Sequence, residues 1–153
     1  MRDRVLTYFV YDGEIELPEE GVAVYNGEPH YFWLRTALPE PRTAIFDIAP
    51  IDQRLLDAVT EYEAIWRKWD LSYHAGEVEL STHPLLEGNN PRYAALVEEI
   101  GTRAEALRKT AHQKRGLIDV SEKHILDTQR YAGKQWPYPG MRSAELEVTW
   151  EAS

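Results

Sequence analysis

The chain has 153 residues, 43% of them hydrophobic and 28% charged, a composition typical of a globular domain and not of a disordered or collagen-like segment. It contains no cysteine, which excludes disulfides, thiolate nucleophiles, cysteine-ligated zinc and iron–sulfur clusters. Its net charge of −9 disfavours a surface that grips nucleic-acid phosphates. A chain of this length is expected to form a single domain over residues 1–153.

The first third of the chain has the pattern of antiparallel strands, because turn dipeptides divide short aromatic and β-branched runs. Asp12-Gly13 and, more strongly, Asn26-Gly27 are typical of tight hairpin turns, and Pro18–Gly21 is predicted to be a longer reversal. Acidic and apolar residues alternate along 14–17, which predicts a half-exposed strand. The strands are predicted at 4–11, 14–17, 21–25, 29–36 and 43–49.

From residue 52 the apolar period changes to steps of three and four, which predicts a helix whose buried stripe is Leu55, Val59, Tyr62, Trp66, Trp69 and Tyr73. Gly76 is expected to end it. Asn90-Pro91 has the residues of a helix start, an N-cap followed by proline, so a second helix is predicted from there to about Leu107. The connection 77–89 is predicted to be a loop that has room for one helical turn.

The last forty residues leave one alternative open. Residues 117–120 fit a strand and Ser121 to Tyr131 a short helix, and both can hold at once. Apolar and polar residues alternate through 144–150, which predicts a terminal strand that joins the N-terminal sheet. The predicted fold class is therefore α+β, with an antiparallel sheet of five or six strands and two long helices packed on one face.

Several chemistries are excluded by glycine and histidine spacing. No two of the nine glycines are close enough to form a dinucleotide fingerprint, a P-loop or a nucleophile elbow. The helical zinc motif with two histidines and a glutamate, and the EF-hand loop, are absent as well. No cofactor is predicted.

The best remaining chemical candidates are His74 and His83, which lie within ten residues of each other with Glu77 and Glu79 between them. Two imidazoles and a carboxylate would make a metal site with open positions. However, their spacing matches no established ligand pattern. A small metal-assisted or acid/base hydrolase centred on His74 and His83 is therefore the alternative function.

Aromatic side chains outside the helical stripes are the main candidates for partner binding. Trp136 and Tyr138 lie on a proline-stiffened loop, either as a lid over the sheet or as anchors for a partner. Tyr31 and Trp33 share one strand face, opposite His30 and its apolar neighbours. If helices cover only the other face, these two rings are exposed or covered by a partner.

Charge is spread unevenly, with 14 acidic and 7 basic side chains in residues 1–70. The first two predicted hairpins are especially acidic. A basic concentration at 108–115, around His112, is expected to complement the end of the second predicted helix, in preference to forming an anion site.

Together these patterns favour a non-catalytic protein-binding module that meets another protein through its acidic sheet end and its aromatic loop. Nucleic acid and membrane are not expected as partners, and a homo-oligomer is compatible with the sequence. Val5–Tyr11 is too short and too polar to be a targeting core, and no stretch approaches the roughly 20 apolar residues of a spanning helix. A cytoplasmic location is therefore expected.

Overall fold

The computed structural model describes residues 2–12, 14–120 and 146–152. Two long helices, one short 3₁₀ helix and six strands are present in these ranges. In chain order they are β1 (Arg2–Asp12), β2 (Leu17–Tyr25), β3 (Glu28–Ala37), β4 (Thr43–Pro50), α1 (Gln53–His74), the 3₁₀ helix (Leu80–Thr82), α2 (Pro91–Arg108), β5 (His112–Val120) and β6 (Leu146–Trp150).

The six strands form a closed barrel in which every neighbouring pair is antiparallel. Strand β6 pairs with β5, where Val148 faces Ile118, and with β1, where Leu146 faces Val5. The α+β class and the pairing of the two ends of the chain are therefore confirmed. The sheet differs from the predicted one in that it closes into a barrel, because β5 is a full strand that joins β4 to β6.

The inside of the barrel is a packed apolar core. The rings of Phe32 and Phe46 meet edge to face, with their centroids 5.5 Å apart, and the space around them is too small for a water molecule. The barrel is therefore filled by side chains, as is usual for small barrels. The buried cluster consists of Val5, Tyr8, Leu17, Ala23, Phe32, Ala44, Phe46, Ile48, Ile118, Leu146 and Val148.

Two predicted features at the start of the chain are wrong. Residues 14–16 form a turn, because the Asp12 carboxylate accepts a hydrogen bond from the backbone N–H of Glu14 (2.9 Å) and Glu16 has a φ of 56°. The predicted reversal at 18–21 lies inside β2. By contrast, the Asn26-Gly27 turn is confirmed, with φ values of 56° and 79°.

The chain divides into two compact units, the barrel unit (1–50 and 110–153) and the helical unit (51–109). In the helical unit the rings of Tyr62 and Tyr93 stack 4.7 Å apart, one from each helix. Trp66 and Trp69 are buried as predicted. The packing of both helices on one face of the sheet, and the single domain over 1–153, stay predictions. In the described part of the chain, neither helix combines the length and apolar character needed to cross a membrane.

Both helices begin at a capping residue, and the sequence predicts the one that starts α2, Asn90. The carboxylate of Asp52 accepts a hydrogen bond from the backbone N–H of Leu55 (2.8 Å), and the side chain of Asn90 accepts one from Tyr93 (2.9 Å). Past the end of α1, Gly76 has a φ of 79°, the left-handed conformation that glycine adopts without strain.

Candidate functional site

The connection between α1 and α2, residues 77–90, exposes three large apolar side chains and is called here the leucine loop. Leu85 is 63% exposed, Leu86 is 50% exposed and Leu80 is 45% exposed. Single exposed leucines are ordinary on protein surfaces, whereas a concentrated apolar patch marks an interaction site. Three such leucines within one short loop therefore make this loop a candidate interaction surface of the helical unit.

Successive backbone turns make the leucine loop compact. The N–H of His83 donates to the carbonyl of Leu80, and the N–H of Leu86 donates to the carbonyl of His83, each at 3.1 Å. The N–H of Asn89 donates to the carbonyl of Leu86 at the same distance. Each bond closes a reversal of the chain. The backbone that carries Leu80, Leu85 and Leu86 is therefore fixed by a series of turns.

Side chains also fix the leucine loop to itself and to α1. The side-chain amide of Asn89 donates to the carbonyls of Ser81 (2.6 Å) and His83 (3.0 Å). The indole N–H of Trp69, on α1, donates to the hydroxyl of Thr82 (2.9 Å). The exposed leucines therefore stand on an ordered backbone, and a partner that binds them has little loop entropy to remove.

The charged side chains of the leucine loop are all acidic. Glu77, Glu79 and Glu87 are exposed, and residues 75–90 contain no lysine or arginine. The apolar side chains are thus flanked by carboxylates, and a partner with apolar and basic side chains would complement the loop.

His83 has a structural role within this loop. Its side chain is buried, and its Nδ1 accepts a hydrogen bond from the backbone N–H of Leu85 (3.0 Å). The ring of Trp69 meets it edge to face, with centroids 4.5 Å apart. Nδ1 is therefore already engaged by the turn that presents Leu85. The side chain of His74 lies outside the described residues.

The described residues give no support to the two-histidine metal site. Glu77 and Glu79 are exposed whereas His83 is buried. No group of three or more histidine or acidic side chains that could hold a metal ion occurs in ranges 2–12, 14–120 and 146–152. The hydrolase centred on His74 and His83 stays a prediction.

The aromatic residues predicted to bind a partner fall into two pairs, one within the described residues and one outside them. Tyr31 and Trp33 lie side by side on β3, with ring centroids 4.7 Å apart, but they are only 1% and 5% exposed. Their rings are not available at the surface of the chain. Trp136 and Tyr138 lie outside the described residues, so the choice between lid and anchor stays open.

The acidic residues of the first hairpins do not form one end of the barrel. Asp12, Glu14 and Glu16 are at the turn between β1 and β2, whereas Glu28 follows the turn between β2 and β3. Successive turns of an antiparallel meander lie at opposite ends of the strands. The acidic side chains are therefore divided between the two ends.

Comparison with models of protein families, with curated proteins and with solved structures found no match. No relative therefore supplies a fold name or a site for this chain.

Proposed function

We propose that this chain is a non-catalytic, cytoplasmic protein-binding module and that the leucine loop is the surface that contacts its partner. The observation that carries the proposal is the exposure of Leu80, Leu85 and Leu86 on a loop held by its own hydrogen bonds. Here the backbone holds the side chains outward, which is what an interface needs before the partner arrives.

The partner's chemistry follows from the loop. Full burial of a leucine side chain is worth about 1.5–3 kcal/mol, and these three are about half exposed, so burying the rest of them can supply part of the roughly −8 kcal/mol of a micromolar interaction. The flanking glutamates favour lysine or arginine at the rim of the contact and speed the encounter. An amphipathic helix with an apolar stripe and basic edges has both features.

The leucine loop is a different surface from the one predicted from the sequence. Tyr31 and Trp33 are buried, and the acidic residues are divided between the barrel ends. Trp136 and Tyr138 remain candidates for a second contact with the same partner.

Selection of displayed 20-residue random peptides on the immobilised protein tests the proposal. We expect enrichment of peptides in which leucine or phenylalanine recurs at helical spacing with lysine or arginine beside it. In a Leu85→Ser, Leu86→Ser double variant the affinity for these peptides should fall by at least about tenfold, since every 1.4 kcal/mol is a factor of ten.

The matched control is a Val97→Ser, Leu117→Ser double variant, which removes two other apolar side chains of 39% and 38% exposure outside the loop. Its affinity should equal that of the parent. Equal weakening by both double variants, or binding that survives in the Leu85→Ser, Leu86→Ser protein, would contradict the proposal. If the parent self-associates and the Leu85→Ser, Leu86→Ser variant does not, the partner is a second copy of the chain.

A further inference from the structure

One end of the barrel is lined by polar and aromatic side chains in place of aliphatic ones. Along each strand the inward-facing residues are two positions apart. On each strand, the next inward-facing residue beyond the core cluster therefore lies at this end of the barrel. The set, called here the barrel mouth, contains Asp3 on β1, Tyr25 on β2, His30 on β3, Lys114 on β5 and Trp150 on β6. Tyr25 and Trp150 pack directly on the core cluster.

The two large rings of the mouth are held in place. The indole N–H of Trp150 donates to the carbonyl of Val24 (2.9 Å), and its ring meets those of Tyr25 and Phe46 edge to face, each at 5.9 Å between centroids. The ring of His30 meets Tyr25 in the same manner at 5.2 Å. A ligand would therefore find the aromatic walls already in position.

A concavity of about 400 Å³ opens beside these rings. The aromatic residues Tyr25 and Trp150 and the acidic residues Asp3 and Glu151 line it, and the Asn26-Gly27 turn borders it. Its described lining includes no lysine, arginine or histidine. The volume lies near the lower end of the range for small-molecule sites, about 300–1,000 Å³.

We propose that this concavity binds a small organic cation, an alkylammonium or guanidinium group. Aromatic faces attract cations through the ring quadrupole, and carboxylates attract them directly. The protein already uses Tyr25 in this manner, since the ammonium of Lys114 lies 5.5 Å from its ring centroid and donates to the carbonyl of Glu151 (3.2 Å). The barrel mouth belongs to the barrel unit, so this site is independent of the leucine loop.

The surrounding charges also favour a cation. Asp3 and Glu151 line the concavity, whereas the nearby ammonium of Lys114 is already paired with a ring and a carbonyl. His112 is exposed and does not line the concavity, although its ring centroid lies 6.1 Å from that of Tyr25. An anion in the concavity would meet two carboxylates and no lining cation. The net charge of −9 further raises the local concentration of cations.

The test is a titration of the ¹⁵N-labelled protein with agmatine, which carries one guanidinium and one ammonium group, followed at the indole N–H resonance of Trp150. We expect a saturable shift with a dissociation constant of about 1 mM or tighter. The Asp3→Asn, Glu151→Gln double variant should bind at least about tenfold more weakly. Lys114→Met, which removes a neighbouring like charge, should bind more tightly.

Glu28→Gln is the matched control, since Glu28 is exposed beside the same turn but does not line the concavity. Its affinity for agmatine should equal that of the parent, and glutarate, a dianion, should produce no shift in any variant. A non-saturable shift, an equal response to glutarate, or unchanged binding in the Asp3→Asn, Glu151→Gln protein would overturn the proposal. A melting curve of each variant confirms that it is folded.

The same titration separates two sources of the cation. If an acetylated and amidated Gly-Arg-Gly peptide binds more tightly than agmatine, the site takes an arginine side chain of a partner protein. If agmatine binds more tightly, the site takes a free small amine. Both results support the recognition of a cation by Asp3, Glu151 and the two rings.

Discussion

Gly21 lies in the middle of β2, where the backbones of β1 and β2 are in close contact. A Cβ atom at this position would overlap the carbonyl oxygen of Thr7 and lie 2.7 Å from Cα of Tyr8. Both obstacles are backbone atoms, which cannot move without disturbing the strand pairing. Only glycine fits here, and the reason is space, not turn conformation.

We predict that Gly21→Ala destabilises the protein by about 1–3 kcal/mol, the usual cost of forcing extra volume into packed structure. Urea unfolding measures the change. Gly101→Ala is the matched control, because a Cβ at that exposed position of α2 meets nothing within 4 Å. It should stabilise the protein, since alanine is favoured over glycine in a helix by about 1 kcal/mol. Equal effects of the two substitutions would show that the β1–β2 contact tolerates a side chain.

The burial of a single side chain can be predicted from sequence where the hydrophobic period shows which face of an element is buried. The helical stripe placed Trp66 and Trp69 in the core, and they are 0% and 8% exposed. The strand alternation placed Tyr31 and Trp33 on one face but carried no information about what covers that face. Leu85 and Leu86 belong to no period at all. Their exposure results from turns that depend on Asn89, a residue whose role no local pattern reveals.

At the scale of elements, local signals located the helices well and the strands less well. Asn90-Pro91 begins α2 at the predicted residue, because capping is a contact within one turn. The alternation at 14–17 was outweighed by the Asp12 side chain, which bonds the backbone of the next residues into a turn. The first half of β5 was missed, because His112 to Arg115 has no apolar alternation and becomes a strand through pairing with β4.

An ion pair between Glu61 of α1 and Arg92 of α2 joins the two helices at their surface. The guanidinium of Arg92 donates to both carboxylate oxygens of Glu61, at 2.6 and 2.7 Å. These hydrogen bonds lower the pKa of the Glu61 carboxyl below its ordinary value and raise the pKa of Arg92. Because the pKa of Glu61 is lower in the folded state, its ionised form stabilises the fold above the unfolded-state pKa. This stabilisation is lost as the pH falls through the folded-state value.

We therefore predict that Glu61→Gln lowers the melting temperature at neutral pH and that the gap from the parent closes as the pH falls through the lowered folded-state pKa of Glu61. Glu98→Gln, a change at an exposed position of α2, should show no such closing gap. Melting temperatures of the three proteins across this pH range provide the measurement. A gap for Glu61→Gln that persists unchanged in acid would mean that the charge of Glu61 contributes nothing and that the loss has another cause.

At the scale of the whole molecule, the closure of the barrel depends on contacts between residues far apart in the chain. The alternation through 144–150 predicted that the terminal strand joins the N-terminal sheet, and β6 does pair with β1. The same alternation is equally compatible with an open sheet, since it does not say whether the second edge of β6 also has a partner. That partner is β5, and its pairing of Ile118 with Val148 is a tertiary fact that no local period encodes.

The short strand β6 closes the barrel by pairing with both β1 and β5. Deleting residues 146–153 would remove the buried side chains Leu146 and Val148 together with the half-buried Trp150. Burial of such side chains is worth about 1.5–3 kcal/mol each, which together is a large part of a typical stability of about 5–15 kcal/mol. The deletion would also leave β1 and β5 with unpaired edges, which promote association between chains.

We predict that this truncated protein loses its cooperative thermal transition and aggregates, as measured by circular dichroism and light scattering. Deleting only residues 152–153 keeps all of β6 and should leave the melting temperature within a few degrees of the parent. A cooperative melt of the longer deletion near that of the parent would show that the barrel does not need its sixth strand.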